Sequence, residues 1–319
     1  MRTILGLPRS FGIYAGAGAA LLLCLGLAAA RVGEEPGALS NWQALALGLV
    51  QGLTELLPIS SSGHLILVPW LADWRYLEAD DEFNQTFDVA LHLGTLVAVA
   101  MYFRRDVALL VRAALTSLRR RSIDEPSERI AWYIAIATVP AAVVGALGEE
   151  VIANRLGEPW QIAILLAVFA VVLWLADRSR SDRGLEAIRL KGAVTIGLVQ
   201  ALALAPGVSR SGVTISAARF LGLDRDSAAR FSFLLVLPTT LGAVLYKGVS
   251  DVLLADLPPG STGPFVVGTI AAGVSGLFAI WALLGYVRRH TYSVFVLYRL
   301  IAAAIVLLLI ATGVREAGF

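Results

Sequence analysis

Apolar residues fall in long unbroken runs at 12–30, 86–103, 130–148, 160–176, 231–247, 264–286 and 292–313. Each is close to the roughly 20 residues that a helix needs to cross a bilayer. The short alternating strands of a membrane barrel are absent from this pattern. Two further apolar stretches, 42–70 and 192–220, are interrupted. The first contains QGLTELLPISSSGHLILVPW at 51–70, which breaks at Pro58 and then carries Ser60, Ser61, Ser62, Gly63 and His64. The second contains PGVSRSGVT at 206–214. The pattern predicts spanning helices at the unbroken runs and helical hairpins at the two interrupted ones.

Composition agrees with a chain built for lipid. Of its 319 residues, 57% are hydrophobic and 16% charged, against roughly 25% charged in soluble domains. The net charge of +2 gives no basis for nucleic-acid binding. The single cysteine, Cys24, excludes an internal disulfide or a thiolate metal cluster.

The distribution of charge sets the topology. Segments 104–129, 177–191, 219–230 and 287–290 are rich in arginine, whereas 71–85 and 149–159 are acidic. The positive-inside rule makes the basic segments cytoplasmic loops. The run 12–30 follows Arg2 and Arg9 and reads as a first transmembrane helix, although Ala28-Ala29-Ala30 would also suit signal-peptide cleavage. A polar linker follows at 31–40. Both flanks of 42–70 then lie outside and both flanks of 192–220 lie inside. The two stretches are therefore re-entrant hairpins entering from opposite faces, where broken helices are tolerated only if protein or water surrounds them.

The hairpins are copies of each other. GLVQGLTELLPISSSG at 48–63 aligns without a gap on GLVQALALAPGVSRSG at 197–212, an offset of 197 − 48 = 149. A weaker match relates 87–95 to 231–239. Three spans follow each hairpin, and an odd number turns the second copy upside down. The expected fold is an all-α polytopic membrane protein with an inverted-topology repeat. The repeats cover 42–176 and 177–319, after an N-terminal extension 1–41 that carries the extra helix.

The bends hold the candidate chemistry. Gln51 and Glu55, four residues apart, share a helix face. Serines and exposed N–H groups at a bend suit an anion. Arg210 is costly at membrane depth without a partner, and phosphate is an efficient one. An arginine, several hydroxyls, a carboxylate and an imidazole together suit phosphoryl transfer. Arg210 would hold phosphate oxygens, a serine or water would attack, and His64 or Glu55 would move the proton. Glu55 is alternatively a ligand for a divalent cation. Ser62 and Ser211 are open between backbone hydrogen bonding and phosphate contact. Asp88 and His92 read as packing or supporting residues, and Arg299 as a residue near a span end that snorkels.

QGLTELLPISSSGHL and PGVSRSGVTI resemble the two signatures of the undecaprenyl-pyrophosphate phosphatase family, the bacitracin-resistance proteins. The likeness runs from about residue 42 to about 313. It implies an integral enzyme of the bacterial plasma membrane that removes the terminal phosphate of undecaprenyl diphosphate for peptidoglycan synthesis, with Mg2+ or Ca2+ supporting activity. It implies catalytic roles for Glu55, Ser61 (nucleophile), His64 (its partner) and Arg210. It further implies phosphate contacts for Ser60, Ser62, Ser209, Ser211, Thr214 and Arg299. Gln51 stands where the family often has a first glutamate, so a two-carboxylate metal site does not follow from the resemblance, which leaves Glu55, with Gln51 beside it, as one candidate metal position. The helix at 12–30 is an addition to the usual family chain. The first hairpin's direction puts the site opening on the outer, periplasmic face. The expected partners are a polyprenyl diphosphate and the bilayer; monomer and homo-oligomer both stay open. Paired hairpins also suit a transporter or flippase for a phosphorylated polyprenyl lipid, which would need Arg210 but no nucleophile.

Overall fold

The computed structural model describes residues 39–74, 81–179, 182–251 and 261–318. The expected helix at 12–30 and part of the acidic segment 71–85 lie outside the described residues. Those described build an all-α protein. The helices are α1 (Asn41–Leu56), α2 (Ser61–Ala72), α3 (Asp81–Tyr102), α4 (Arg104–Arg120), α5 (Pro126–Arg155) and α6 (Pro159–Asp177). They continue as α7 (Leu190–Gln200), α8 (Arg210–Phe220), α9 (Arg225–Asp251), α10 (Thr262–Val287) and α11 (Ser293–Ala311). Among them α5, α6, α9, α10 and α11 are long and apolar enough to cross a membrane.

Helix α6 shows why these segments suit lipid. Ile162, Leu166, Ala170 and Leu173 are buried along one face, while Ile164, Val168, Val171 and Leu175 are exposed along another. A helix apolar on both faces is stable only where hydrocarbon covers the outer one.

The two interrupted stretches form hairpins whose arms are short, 16 and 12 residues in α1 and α2, 11 and 11 in α7 and α8. At about 1.5 Å per residue none of the four reaches across a core of about 30 Å. Ser40 starts α1 with a reciprocal capping box, accepting from Gln43 N at 3.2 Å while its own N–H donates to Gln43 Oε1 at 2.9 Å. Pro58 prevents α1 from continuing. The turn into α2 passes through Ser60 at φ 76°, and the turn into α8 through Ser209 at φ 75°. These are repeat-equivalent serines held in the same left-handed backbone, which L-residues adopt only when surroundings impose it.

Packing repeats the same relation. Helix α1 lies against α10 and α7 against α5; α3 packs on α10 and α9 on α5. The pairs α3–α9 and α6–α11 join equivalent spans of the two halves. Each contact is thus carried into another by exchanging the halves, as a two-fold relation requires. Repeat-equivalent glycines sit at the closest approaches. A Cβ on Gly48 would collide with the Gly268 carbonyl and lie 2.7 Å from Ala271 Cβ. A Cβ on Gly197 would lie 2.6 Å from the Ala137 carbonyl oxygen. Small residues are how membrane helices gain packing energy without a hydrophobic drive.

One expectation needs correction. Segment 104–129 is not a loop, because 104–120 is the helix α4, turned 83° from α3. Val107 and Leu110 pack on the core and Ala113 and Ser117 are buried, while Leu109, Leu115 and Leu118 are exposed among the arginines. Trp132 Nε1 donates to Ser117 Oγ at 2.8 Å and ties α4 to α5. The arginine count hid this amphipathic period, which suits a helix lying in the membrane surface.

Gly48→Val and Gly197→Val are each expected to lower the melting temperature in detergent by a wedge effect of about 1–3 kcal/mol. Gly285→Val, where a Cβ meets nothing within 4 Å, serves as the control and leaves it unchanged in thermal-shift measurements.

Candidate active site

The bends meet inside the protein, and their contact is polar. Gly207 N–H donates to Ser60 Oγ at 3.0 Å, joining the second bend to the first. Ser209 Oγ accepts from Gly212 N at 3.1 Å, capping α8, and lies 3.3 Å from Ser211 Oγ. Ser211 Oγ donates to Leu57 O at 2.9 Å, the second link between the bends. The N-termini of α2 and α8 both begin here, so their unpaired N–H groups and dipoles favour negative charge in this region.

Glu55 is the centre of the charged cluster. Its Oε1 receives a hydrogen bond from Arg210 Nη2, and its Oε2 one from Ser61 Oγ. Gln51 Nε2 donates to the same Oε2 at 3.3 Å, as the four-residue spacing on α1 allows. The Arg210 side chain is 20% exposed, whereas Glu55 is 3% exposed. Arg210 also donates from Nη1 to Thr239 Oγ1 at 3.1 Å and Thr240 Oγ1 at 2.9 Å on α9. A guanidinium held from two sides has a fixed orientation, which is what recognition of a tetrahedral anion needs.

Two expected roles change. Arg299 does not snorkel and is not aimed at an anion. It is fully buried, at 0% exposure. Its donors go to Leu166 O at 3.0 Å, Pro58 O at 3.2 Å, Gly207 O at 2.9 Å, Val208 O at 3.1 Å and Leu165 O at 3.4 Å. It satisfies the carbonyls of Pro58, Gly207 and Val208, which the broken helices leave without partners, and so clamps both bends, where a phosphate contact was expected of it. His64 makes no hydrogen bond to Ser61. Its Nδ1 donates to Ser60 O at 2.6 Å, and its Nε2 pairs with Tyr298 OH at 2.7 Å, with the rings stacked. Both ring nitrogens are thus engaged away from the Ser61 hydroxyl, which goes to Glu55 instead.

The remaining expected residues divide by what they touch. Thr214 Oγ1 donates to Arg210 O at 2.8 Å and lies 2.7 Å from Ser232 Oγ, which locks the start of α8. Ser62 is half-buried, with no hydrogen-bond partner among the described residues. His92, read only as packing or support, lies with Nε2 3.7 Å from Glu55 Oε2 and is 29% exposed. Its Nδ1 donates to Asp88 O at 2.7 Å. Thr239, Thr240 and Tyr298 do not stand out in the sequence, since hydroxyl residues within apolar runs commonly only hydrogen-bond the helix backbone.

Among the described residues no group of three or more His, Cys, Asp and Glu could hold a metal ion. Gln51 Oε1 is nevertheless buried beside Glu55 without a partner. Two neighbouring side-chain oxygens fit a hard cation that takes its other ligands from phosphate and water.

The comparisons with known proteins bear on this arrangement. The family model for bacitracin resistance protein BacA matches residues 44–305. The chain belongs to that family. A protein of Geobacter sulfurreducens named undecaprenyl-diphosphatase is 47% identical over 266 residues, covering 83% of this chain and 96% of the relative. Proteins of the same name from Geobacter metallireducens and Pelotomaculum thermopropionicum are 49% identical over 269 residues and 44% identical over 280 residues. They cover 84% and 87% of this chain, and 97% and 99% of their own lengths. The matched region in this BacA member spans both hairpins and leaves out the segment that carries 12–30.

Removing the Arg299 clamp is expected to cost stability before chemistry. Arg299→Gln strands several buried carbonyls, each worth about 1–3 kcal/mol. The variant should show a lower melting temperature and poor recovery from size-exclusion chromatography. Tyr298→Phe, which removes one hydrogen bond, should fold normally.

Proposed function

We propose that this protein is an integral membrane phosphatase. It hydrolyses undecaprenyl diphosphate to undecaprenyl phosphate and inorganic phosphate, which recycles the carrier lipid for peptidoglycan synthesis and confers bacitracin resistance. The observation that carries the reading is the single carboxylate of Glu55, shared between the Ser61 hydroxyl and the Arg210 guanidinium. The names of the similar proteins support the substrate.

The residues suggest the order of events. The diphosphate takes over Arg210 from Glu55, since a phosphate with more charge competes for the same guanidinium. Thr239 and Thr240 keep Arg210 in place during the exchange. Ser61 Oγ attacks the terminal phosphorus and its proton passes to Glu55. The bond from that phosphorus to the bridging oxygen breaks, and undecaprenyl phosphate leaves, taking up the proton. Water then attacks the phosphoserine, giving a proton to Glu55, which returns one to Ser61 Oγ as inorganic phosphate departs. Arg210 and the N-termini of α2 and α8 offset the charge that develops on the transferring group. When bound, a divalent cation held by Glu55 and Gln51 would neutralise diphosphate charge. His64, paired to Tyr298, orients the α2 side of the bend. Because the Ser61 hydroxyl donates to Glu55, and both His64 ring nitrogens are engaged elsewhere, Glu55 is the better proton acceptor.

This function belongs in the bacterial plasma membrane. The site opens to the outer face in this reading, which the arginine-rich segments on the opposite side support. The Ser61–Glu55 pair separates hydrolysis from lipid carriage, which needs a phosphate-binding arginine but no activated hydroxyl.

Phosphate release from a polyprenyl diphosphate in detergent tests the assignment. Glu55→Gln and Arg210→Ala should each lose about 100-fold or more in kcat/KM while eluting as folded protein. Full activity in both would falsify the site. Rapid quench with substrate labelled with 32P at the terminal phosphate should trap phosphoserine, absent in Ser61→Ala. A burst of free phosphate without any labelled protein would assign the attack to water.

A further inference from the structure

A second basic site lies away from the bends. A cavity of about 350 Å³ is lined by Arg129, Tyr133, Arg183, Glu186, Ile188 and Arg189. Arg129 sits in the first turn of α5, where a candidate membrane span begins. Arg189 immediately precedes α7, which packs against α5. Arg183 comes from the connection between α6 and α7 and is fixed there by its backbone, which pairs with Gly222 and Asp224. The start of α5 and the two ends of the α6–α7 connection thus deliver three guanidinium groups to one opening.

The charges in this cavity are not used by the protein. None of the three arginines has an ion-pair partner among the described residues. Glu186 on the rim can offset one of them, which leaves positive charge in excess. Four other arginines on this end of the molecule differ in being held by the protein. Arg219, Arg225, Arg230 and Arg288 are committed to Asp177, Asp226 or nearby carbonyls.

The surface beside the cavity is apolar. Val139 and Val143 on α5, and Leu190, Val194 and Leu198 on α7, are exposed. Tyr133 stands between the two regions, as tyrosines do at a membrane interface. Unpaired guanidinium groups at the mouth of a groove between two membrane helices match one ligand chemistry. A phosphate headgroup fits the charges bidentately, and acyl chains fit the flank.

We infer that this cavity binds the phosphate headgroup of an anionic membrane lipid, whose acyl chains lie along α5 and α7. The site is separate from the cluster around Glu55 and independent of the reaction proposed there.

Native mass spectrometry of the delipidated full chain tests this, with phosphatidylglycerol and phosphatidylcholine offered at equal concentration. The wild type should retain phosphatidylglycerol in preference. The combined variant Arg129→Gln, Arg183→Gln and Arg189→Gln should bind it at least about tenfold more weakly. The single variants Arg129→Gln and Arg189→Gln should show part of that loss, and they keep the test decisive if the combined variant fails to fold. Arg105→Gln with Arg112→Gln and Arg119→Gln, on the exposed side of α4, removes the same charge elsewhere and should leave retention unchanged. Equal retention of both lipids by the wild type overturns the proposal. So does an equal loss in the α4 control, or no loss in the cavity variants. Millimolar inorganic phosphate, offered without lipid, should raise the melting temperature no more in the wild type than in the single cavity variants. If its stabilisation is lost in those variants, the occupant is a soluble phosphate and the lipid assignment falls.

Discussion

Everything at the centre of this protein depends on supplying hydrogen-bond donors to a backbone that stops being helical in an apolar interior. Two broken hairpins leave carbonyls at Pro58, Gly207 and Val208 that no helix ladder satisfies, and water is scarce at that depth. Arg299, carried on the last helix, donates to all three and to Leu165 and Leu166 on α6. A guanidinium suits this work because it has five donors in a rigid plane and no acceptor to leave unmatched. Ser60 and Ser211 add the two cross-links between the bends. The reactive groups can sit within hydrogen-bond distance of one another only because the irregular backbone beneath them is held from several sides.

The duplicated hairpins divide the work unequally. Repeat-equivalent residues build the scaffold: Ser60 and Ser209 shape the turns, and Gly48 and Gly197 admit a neighbouring helix. Positions that differ carry the charge. Glu55 has Leu204 as its counterpart, and Ser61 has Arg210. The carboxylate and hydroxyl therefore come from one copy and the guanidinium from the other, and the ion pair between Glu55 and Arg210 closes across the interface of the copies. Gln51 and Gln200 keep the same residue type in both copies. Gln51 reaches Glu55, whereas Gln200, with leucine four residues on, leaves both amide atoms unpartnered.

Much of this was legible in the sequence because membrane helices announce themselves by length and because the repeat preserved polar residues without a gap. Pro58 and the serine clusters marked both bends, and Glu55 and Arg210 stood out as charges in apolar surroundings. The failures have physical causes. Arg299 is an arginine in an apolar run, and sequence cannot tell a guanidinium that serves carbonyls from one that serves a ligand. His64 is three residues from Ser61, but the direction of its ring depends on Ser60 O and Tyr298, 234 residues away. His92 approaches Glu55 only through the packing of α3 near α1. Helix α4 was concealed because its arginines outweigh its leucines in any charge count.

The pairing of His64 with Tyr298 has a consequence for how the protein meets its ligand. Tyr298 is 44% exposed and is flanked on α11 by Leu297 and Ile301, which are also exposed. Its hydroxyl meets His64 at the start of α2, while the residue as a whole stays exposed on the apolar outer surface of α11. The polar interior thus begins one side chain from the lipid phase. A ligand with a long isoprenoid tail would not have to leave the bilayer to present its headgroup. Its occupancy would then follow two-dimensional density, in molecules per unit of membrane area, and not molarity in the surrounding water.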